Sequence, residues 1–300
     1  MSTTSTTPSQ LTPHDLSILS KIADPEASPL APLLISSTLP PDPNVPSPSL
    51  YATITARERA IIASIQTTEL QLANLHPAPA DFDPLEQYLA RVAQLNELVD
   101  AYPNYASARN NRAQALRRIY GDGILVANPS LSSPPAPATP ASQQQHGAGQ
   151  AHAGQALARA PLPAAVALSI SAKILADLTT AIALLTPAAP DQPLSPQAAK
   201  TLAQAHTQRG ALYHRTARAL AVAGAELRVA EGARESGWNA LRFGEEASRD
   251  FAAGGRLGSE VARGLAVGVN PTAKLCGEMV REAMKREYLG AGTGTGTGTG

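Results

Sequence analysis

The sequence is short of the features that mark most functional classes. One cysteine, Cys276, in 300 residues excludes an intramolecular disulfide framework and a multi-cysteine metal site, and it fits a reducing compartment. Aromatic residues make up 4%, with one Trp and three Phe, too few for a large β-sandwich or barrel. Lys plus Arg and Asp plus Glu balance at 24 each, so net charge offers no argument for nucleic acid or an anionic membrane. Met1 to Gln10 has neither a basic nor an apolar block, and the first arginine is Arg57, so neither a secretory signal nor a transit peptide is expected. The most apolar stretch, Ala160 to Pro190, is interrupted by Pro163, Lys173 and Asp177, so no membrane span is expected.

Abundant alanine, the strongest helix former, predicts an all-α protein. The 26 prolines and 22 glycines cluster between the helical stretches. Residues 1–50 are dense in Ser, Thr and Pro and are expected to be mostly disordered, with one short helix near 13–23 opened by Thr12-Pro13 and carrying Leu16, Leu19 and Ile22. Helices are expected from Tyr51 to Leu75, from Asp83-Pro84 to Tyr102, and from Tyr105 to Tyr120, where Gly121-Asp122-Gly123 stops the chain. Residues 123–163, with Ser132-Ser133-Pro134-Pro135 and Gln143-Gln144-Gln145, read as a low-complexity disordered insertion. Residues 164–289 resume with a helix from Ala164, another capped by Ser195 and opened by Pro196, a third bearing Trp238, Leu241, Ala247 and Phe251, then helices capped by Ser259 and opened by Asn270-Pro271. On the last of these, Leu275, Met279 and Ala283 with Cys276, Val280 and Met284 form an apolar stripe, which predicts a buried Cys276. Residues 290–300 form a Gly/Thr tail.

The helices come in pairs. Gly210 lies three residues before Tyr213, and Ala247 four before Phe251, the pattern in which a small residue lets paired helices approach and an aromatic fills the groove. Asn111-Arg112-Ala113 takes the same place in the preceding unit, and Tyr102-Pro103 and Thr186-Pro187 close units. The fold expected is a tetratricopeptide (TPR)-like superhelix of about three helix-turn-helix repeats with a C-terminal capping helix; a plain bundle of helical hairpins is the alternative. Ser107 to Ala115, Arg249 to Ser259, and Asn270-Pro271 followed by Ala273, Leu275-Cys276 and Met279 resemble the tetratricopeptide repeat protein 36 family. That resemblance implies three TPR units with a capping helix in a small non-enzymatic adaptor, with Hsp70-type chaperones as partners and a link to tyrosine catabolism.

A solenoid of helix pairs offers a concave groove lined by its first helices, where a partner's extended tail or helix can lie. The candidate groove residues are Asn110, Asn111, Gln114 and Arg117 from the second unit and Gln204, Gln208, Arg209 and Arg215 from the third. Amides can bond a peptide backbone and arginines a carboxylate. Asn111 fills the middle position of a chaperone-binding carboxylate clamp, but Gln204 and Gln208 stand where Lys and Arg are expected. Arg109, Arg112, Arg117 and Arg118 form a basic run on one helix, which keeps an RNA- or RNP-associated protein open as the alternative. His206 and His214, about 12 Å apart along a helix, are too distant to share a metal unaided. Gly254-Gly255-Arg256-Leu257-Gly258 has no preceding strand and no following Lys-Ser/Thr, so it reads as a helix end rather than a phosphate loop. With no nucleophile, base, metal or cofactor constellation, the reading is a cofactor-free, non-enzymatic protein-binding adaptor, cytoplasmic or also nuclear, of open oligomeric state.

Overall fold

A computed structural model describes residues 34–127, 156–158, 162–189, 192–222 and 225–291. The expected leader helix near 13–23, most of the insertion and the Gly/Thr tail beyond 291 lie outside the described residues. Within them the chain is all-α: α1 (Pro48–Leu72), α2 (Pro84–Ala101), α3 (Ala106–Tyr120), α4 (Ala164–Leu185), α5 (Pro196–Leu220), α6 (Ala240–Arg256), α7 (Glu260–Gly268) and α8 (Pro271–Ala291). The only sheet among these residues is a two-residue pair, β1 (Val126–Ala127) antiparallel to β2 (Glu226–Leu227).

The caps show why the helices start where they do. Ser195 Oγ accepts from the Ala198 amide at 3.1 Å with Pro196 in the first turn, Asp83 accepts from Leu85 at 2.8 Å ahead of Pro84, and Asn239 and Ser259 cap α6 and α7. Each satisfies an amide that the first turn leaves without a partner. Trp238 lies just outside α6, stacked edge-on against Tyr213 and Phe243 rather than on the helix.

Consecutive helices pack antiparallel. Arg57 meets Glu97 and Tyr88 meets Glu69 between α1 and α2, and in α5 and α6 Gly210 faces Ala247 and Phe251 while Ala203 and Thr207 face Gly254. A Cβ on Gly210 would stand 3.1 Å from the Phe251 ring, and one on Gly254 would stand 2.9 Å from Thr207 Oγ1 and 3.1 Å from Ala262 Cβ. These glycines are required by close approach, and the Gly254 region is a helix end as expected.

One arrangement occurs twice in the core. In α3 and α4, Arg112 donates from Nε to Asp177 Oδ2 at 2.7 Å and from Nη2 to Oδ1 at 2.6 Å, Arg109 adds a bond to Oδ1 at 3.2 Å, and Arg112 Nη1 reaches back to Asn96 on α2. In α5 and α6, Arg209 donates from Nε to Asp250 Oδ2 and from Nη2 to Oδ1, both at 2.8 Å, His206 Nδ1 lies 2.8 Å from Oδ1, and Arg209 Nη1 reaches back to Thr179 on α4. In both cases the second base sits three residues before the arginine, one turn away on the same helix face. Each clamp therefore ties a first helix to its own second helix and to the second helix of the preceding pair.

Several sequence expectations are corrected. Residues 34–50 do not behave as a free leader: Ile35 bridges Leu194, Ser195 Oγ donates to the Pro41 carbonyl, and Asp42 and Val45 are buried. The start of the expected insertion is core, since Ile124, Leu125 and Val126 are buried, and near its other end the Ala158 amide donates to the Ile119 carbonyl of α3. Cys276 is exposed, and Leu275, Met279, Val280 and Met284 are 50–63% exposed, because α8 touches only a few residues of α6 and α7. By length and composition α4 could span a membrane, but its Asp177 is paired and its apolar residues Ile174, Leu178 and Leu185 are buried in the core.

Removing the carboxylate from this clamp strands the buried Arg209 cation, so Asp250→Ala is expected to cost about 3–5 kcal/mol in urea unfolding. Arg57→Ala, which breaks an exposed pair, is expected to cost under about 1 kcal/mol; equal losses would contradict the assignment. Burial pushes the Asp250 carboxyl up, but the bonds from Arg209 and His206 prevail and hold it below its ordinary value. Its folded value thus lies below its unfolded one, so its contribution is present at neutral pH and lost as pH falls through the acid range. The urea midpoint is expected to drop between about pH 5 and pH 3, less steeply in Asp250→Asn; an equal slope in that variant would sink this account.

Candidate functional site

The first helices of the three pairs, α1, α3 and α5, share one side of the molecule and line a cleft of about 1540 Å³, closed at its edges by Gly121 to Gly123, Ala156 and the start of α7. Polar bonds fix these helices to one another. Glu58 on α1 accepts from Tyr105 Oη at 2.6 Å and from Asn111 Nδ2 at 2.8 Å. Glu69, about three turns further along α1, accepts from Tyr88 Oη at 2.6 Å and Arg118 Nε at 2.8 Å. Between α3 and α5, Gln208 Nε2 donates to Asn110 Oδ1 at 2.9 Å, Arg117 Nη1 donates to Gln208 Oε1 at 3.2 Å, and Arg117 also grips Asp122.

These bonds set the protonation of the wall. Burial raises the Glu69 carboxyl, but hydrogen bonds from Arg118 and Tyr88 outweigh it and hold the group below its usual range. Burial and the neighbouring Glu69 push the Tyr88 hydroxyl well up, and burial with Glu58 does the same to Tyr105. Both phenols therefore remain donors at any physiological pH, and the Glu69 carboxylate remains an acceptor.

Of the eight residues expected in the groove, Asn111, Gln114, Arg117, Gln204, Gln208 and Arg215 line this cleft. Asn110 and Arg209 do not: both are buried, Asn110 as the acceptor for Gln208 and Arg209 as the arm of the Asp250 clamp. Their sequence neighbours face the cleft, and a one-residue step turns a helical side chain by about 100°. His206 is likewise part of the clamp and not a free groove histidine. Each arginine of the basic run on α3 is paired with an acid, Arg109 and Arg112 sharing Asp177, Arg117 with Asp122 and Arg118 with Glu69. The acids come from α1, α4 and the turn after α3, so proximity in sequence could not reveal most of them.

Sequence reasoning missed the apolar part of the cleft. Ile62, Ile65 and Leu70 on α1 and Val261 on α7 line it. Among the described residues no group of three His, Cys, Asp or Glu side chains could hold a metal ion. The cleft thus presents amides, one exposed arginine, the Arg117–Asp122 and Arg118–Glu69 pairs, and apolar side chains.

No family model matches the chain, and no solved structure gives a significant match. The chain is similar to L-tyrosine degradation gene cluster protein hmgX of Aspergillus fumigatus, with 32% identity over 284 residues, covering 93% of this chain and 94% of the relative. Identity of that degree over nearly the whole of both proteins makes this chain a member of the hmgX family.

Proposed function

We propose that this chain is a non-enzymatic adaptor of TPR type that holds a segment of a partner protein in the cleft formed by α1, α3 and α5, and that it serves tyrosine breakdown in the cytoplasm. The observation that carries the reading is the cleft itself: six of the expected recognition residues meet there from two separate helices, on walls locked by buried polar bonds. The repeated clamp supports the TPR assignment, because Arg112 with Asp177 and Arg209 with Asp250 use the same atoms in the same order, as repeated helix pairs would. The link to tyrosine breakdown rests on the name of the relative, whose gene cluster degrades L-tyrosine.

An Hsp70-type chaperone tail is one partner of this reading. Gln114 is available to it, whereas Asn111 is engaged by Glu58 and Gln204 and Gln208 replace the charged members of a carboxylate clamp, which favours an internal segment over a chain terminus. The RNA-associated alternative drew on the arginines of α3, and each of those is held by an acid of this chain.

The test is a pull-down with the full chain and with Leu70→Asp, a change at an exposed cleft position, followed by binary assays with purified Hsp70 and the enzymes of tyrosine degradation. The expected result is nuclease-resistant capture of a defined protein, lost in Leu70→Asp while the circular dichroism spectrum is unchanged. Capture that is indifferent to Leu70→Asp would exclude the cleft, and capture abolished by nuclease would return the RNA-associated reading.

A further inference from the structure

The charges in the cleft do not all cancel. Arg117 is matched by Asp122 and Arg118 by Glu69, whereas Arg215, exposed on α5, has no ion pair or hydrogen bond among the described residues. Two large apolar side chains are also left open in this cleft, Leu70 on α1 at 44% exposure and Val261 on α7 at 66%. They stand on different helices of one cleft that Gln114 on α3 and Gln204 on α5 also line. An excess cation beside two uncovered apolar anchors describes the complement of an amphipathic, acidic segment.

The walls also select the conformation of that segment. They are built mainly of helices, whose backbone amides and carbonyls are already bonded, so the cleft offers an extended chain no strand edge and only scattered side-chain amides such as Gln114 and Gln204. A helix brings its own backbone bonds and needs only side-chain contacts. The volume of about 1540 Å³ exceeds the roughly 300–1,000 Å³ of small-molecule sites, and a short helix about 10–12 Å across is an occupant of that larger class. Building on the adaptor reading, we infer that the cleft takes a short internal amphipathic helix, with apolar residues against Leu70 and Val261 and an Asp or Glu against Arg215.

The experiment is selection from a library of 14-residue peptides displayed without a free C-terminus, panned on the full chain. Enriched peptides are expected to carry apolar residues at i, i+3 or i+4 and i+7 with an acid at a fixed offset, and to lose binding to Leu70→Asp. On Arg215→Glu, an exposed change checked by thermal melting, their affinity is expected to fall about tenfold, and a fresh selection should place Lys or Arg at the same offset. Enriched peptides that depend on Leu70 but show no acidic preference and bind Arg215→Glu equally would overturn this inference and leave the adaptor reading standing. Absence of enrichment, or enrichment indifferent to Leu70→Asp, would overturn both.

Discussion

Two buried carboxylates organise this molecule. Asp177 and Asp250 sit on the second helices of consecutive pairs, and each is gripped through both oxygens by an arginine of the first helix and seconded by a base one turn earlier. A buried ion pair is weak evidence of net stability, since desolvation consumes most of its attraction. Its value is in register: the planar guanidinium accepts one alignment of the carboxylate, and apolar packing of alanine-rich helices accepts many. Small side chains leave few knobs with which to index one helix against the next, and the clamps supply the missing index.

The cleft follows from that indexing. Because each arginine also reaches back to the previous second helix, at Asn96 and at Thr179, successive pairs stack with their first helices on the same side. The faces of α1, α3 and α5 that remain are bonded sideways by Glu58, Glu69, Asn110 and Gln208, which makes the floor rigid while Gln114, Gln204 and Arg215 stay available. The clamps and the recognition surface occupy adjacent positions of the same helices, so Arg209 holds the core and Gln208 the cleft.

Helix starts were legible in the sequence because a cap is a local device: Ser195-Pro196, Asp83-Pro84 and Ser259 each act within one turn. The paired layout was legible from Gly210 and Phe251, whose sizes only make sense across a close helix contact. What could not be read was pairing at a distance. Asp177 looked like a flaw in an apolar helix until Arg112, 65 residues earlier, was placed beside it, and the arginines of α3 looked like a basic patch because their acids arrive from three other elements. For the same reason Asn110 and Arg209 were expected on the surface that their neighbours form. Ile124 to Val126 were hidden by the low-complexity residues that follow them, and Cys276 was expected in the core because an apolar stripe does not say whether another helix covers it.

A double-mutant cycle on Arg112→Leu and Asp177→Leu tests the central claim most directly. If the clamp is a single indexed unit, each single change strands buried charge and costs several kcal/mol, about 3–5 in urea unfolding. The double change then costs clearly less than their sum, giving a coupling of about 2 kcal/mol or more. Additive losses, with coupling indistinguishable from zero, would contradict it.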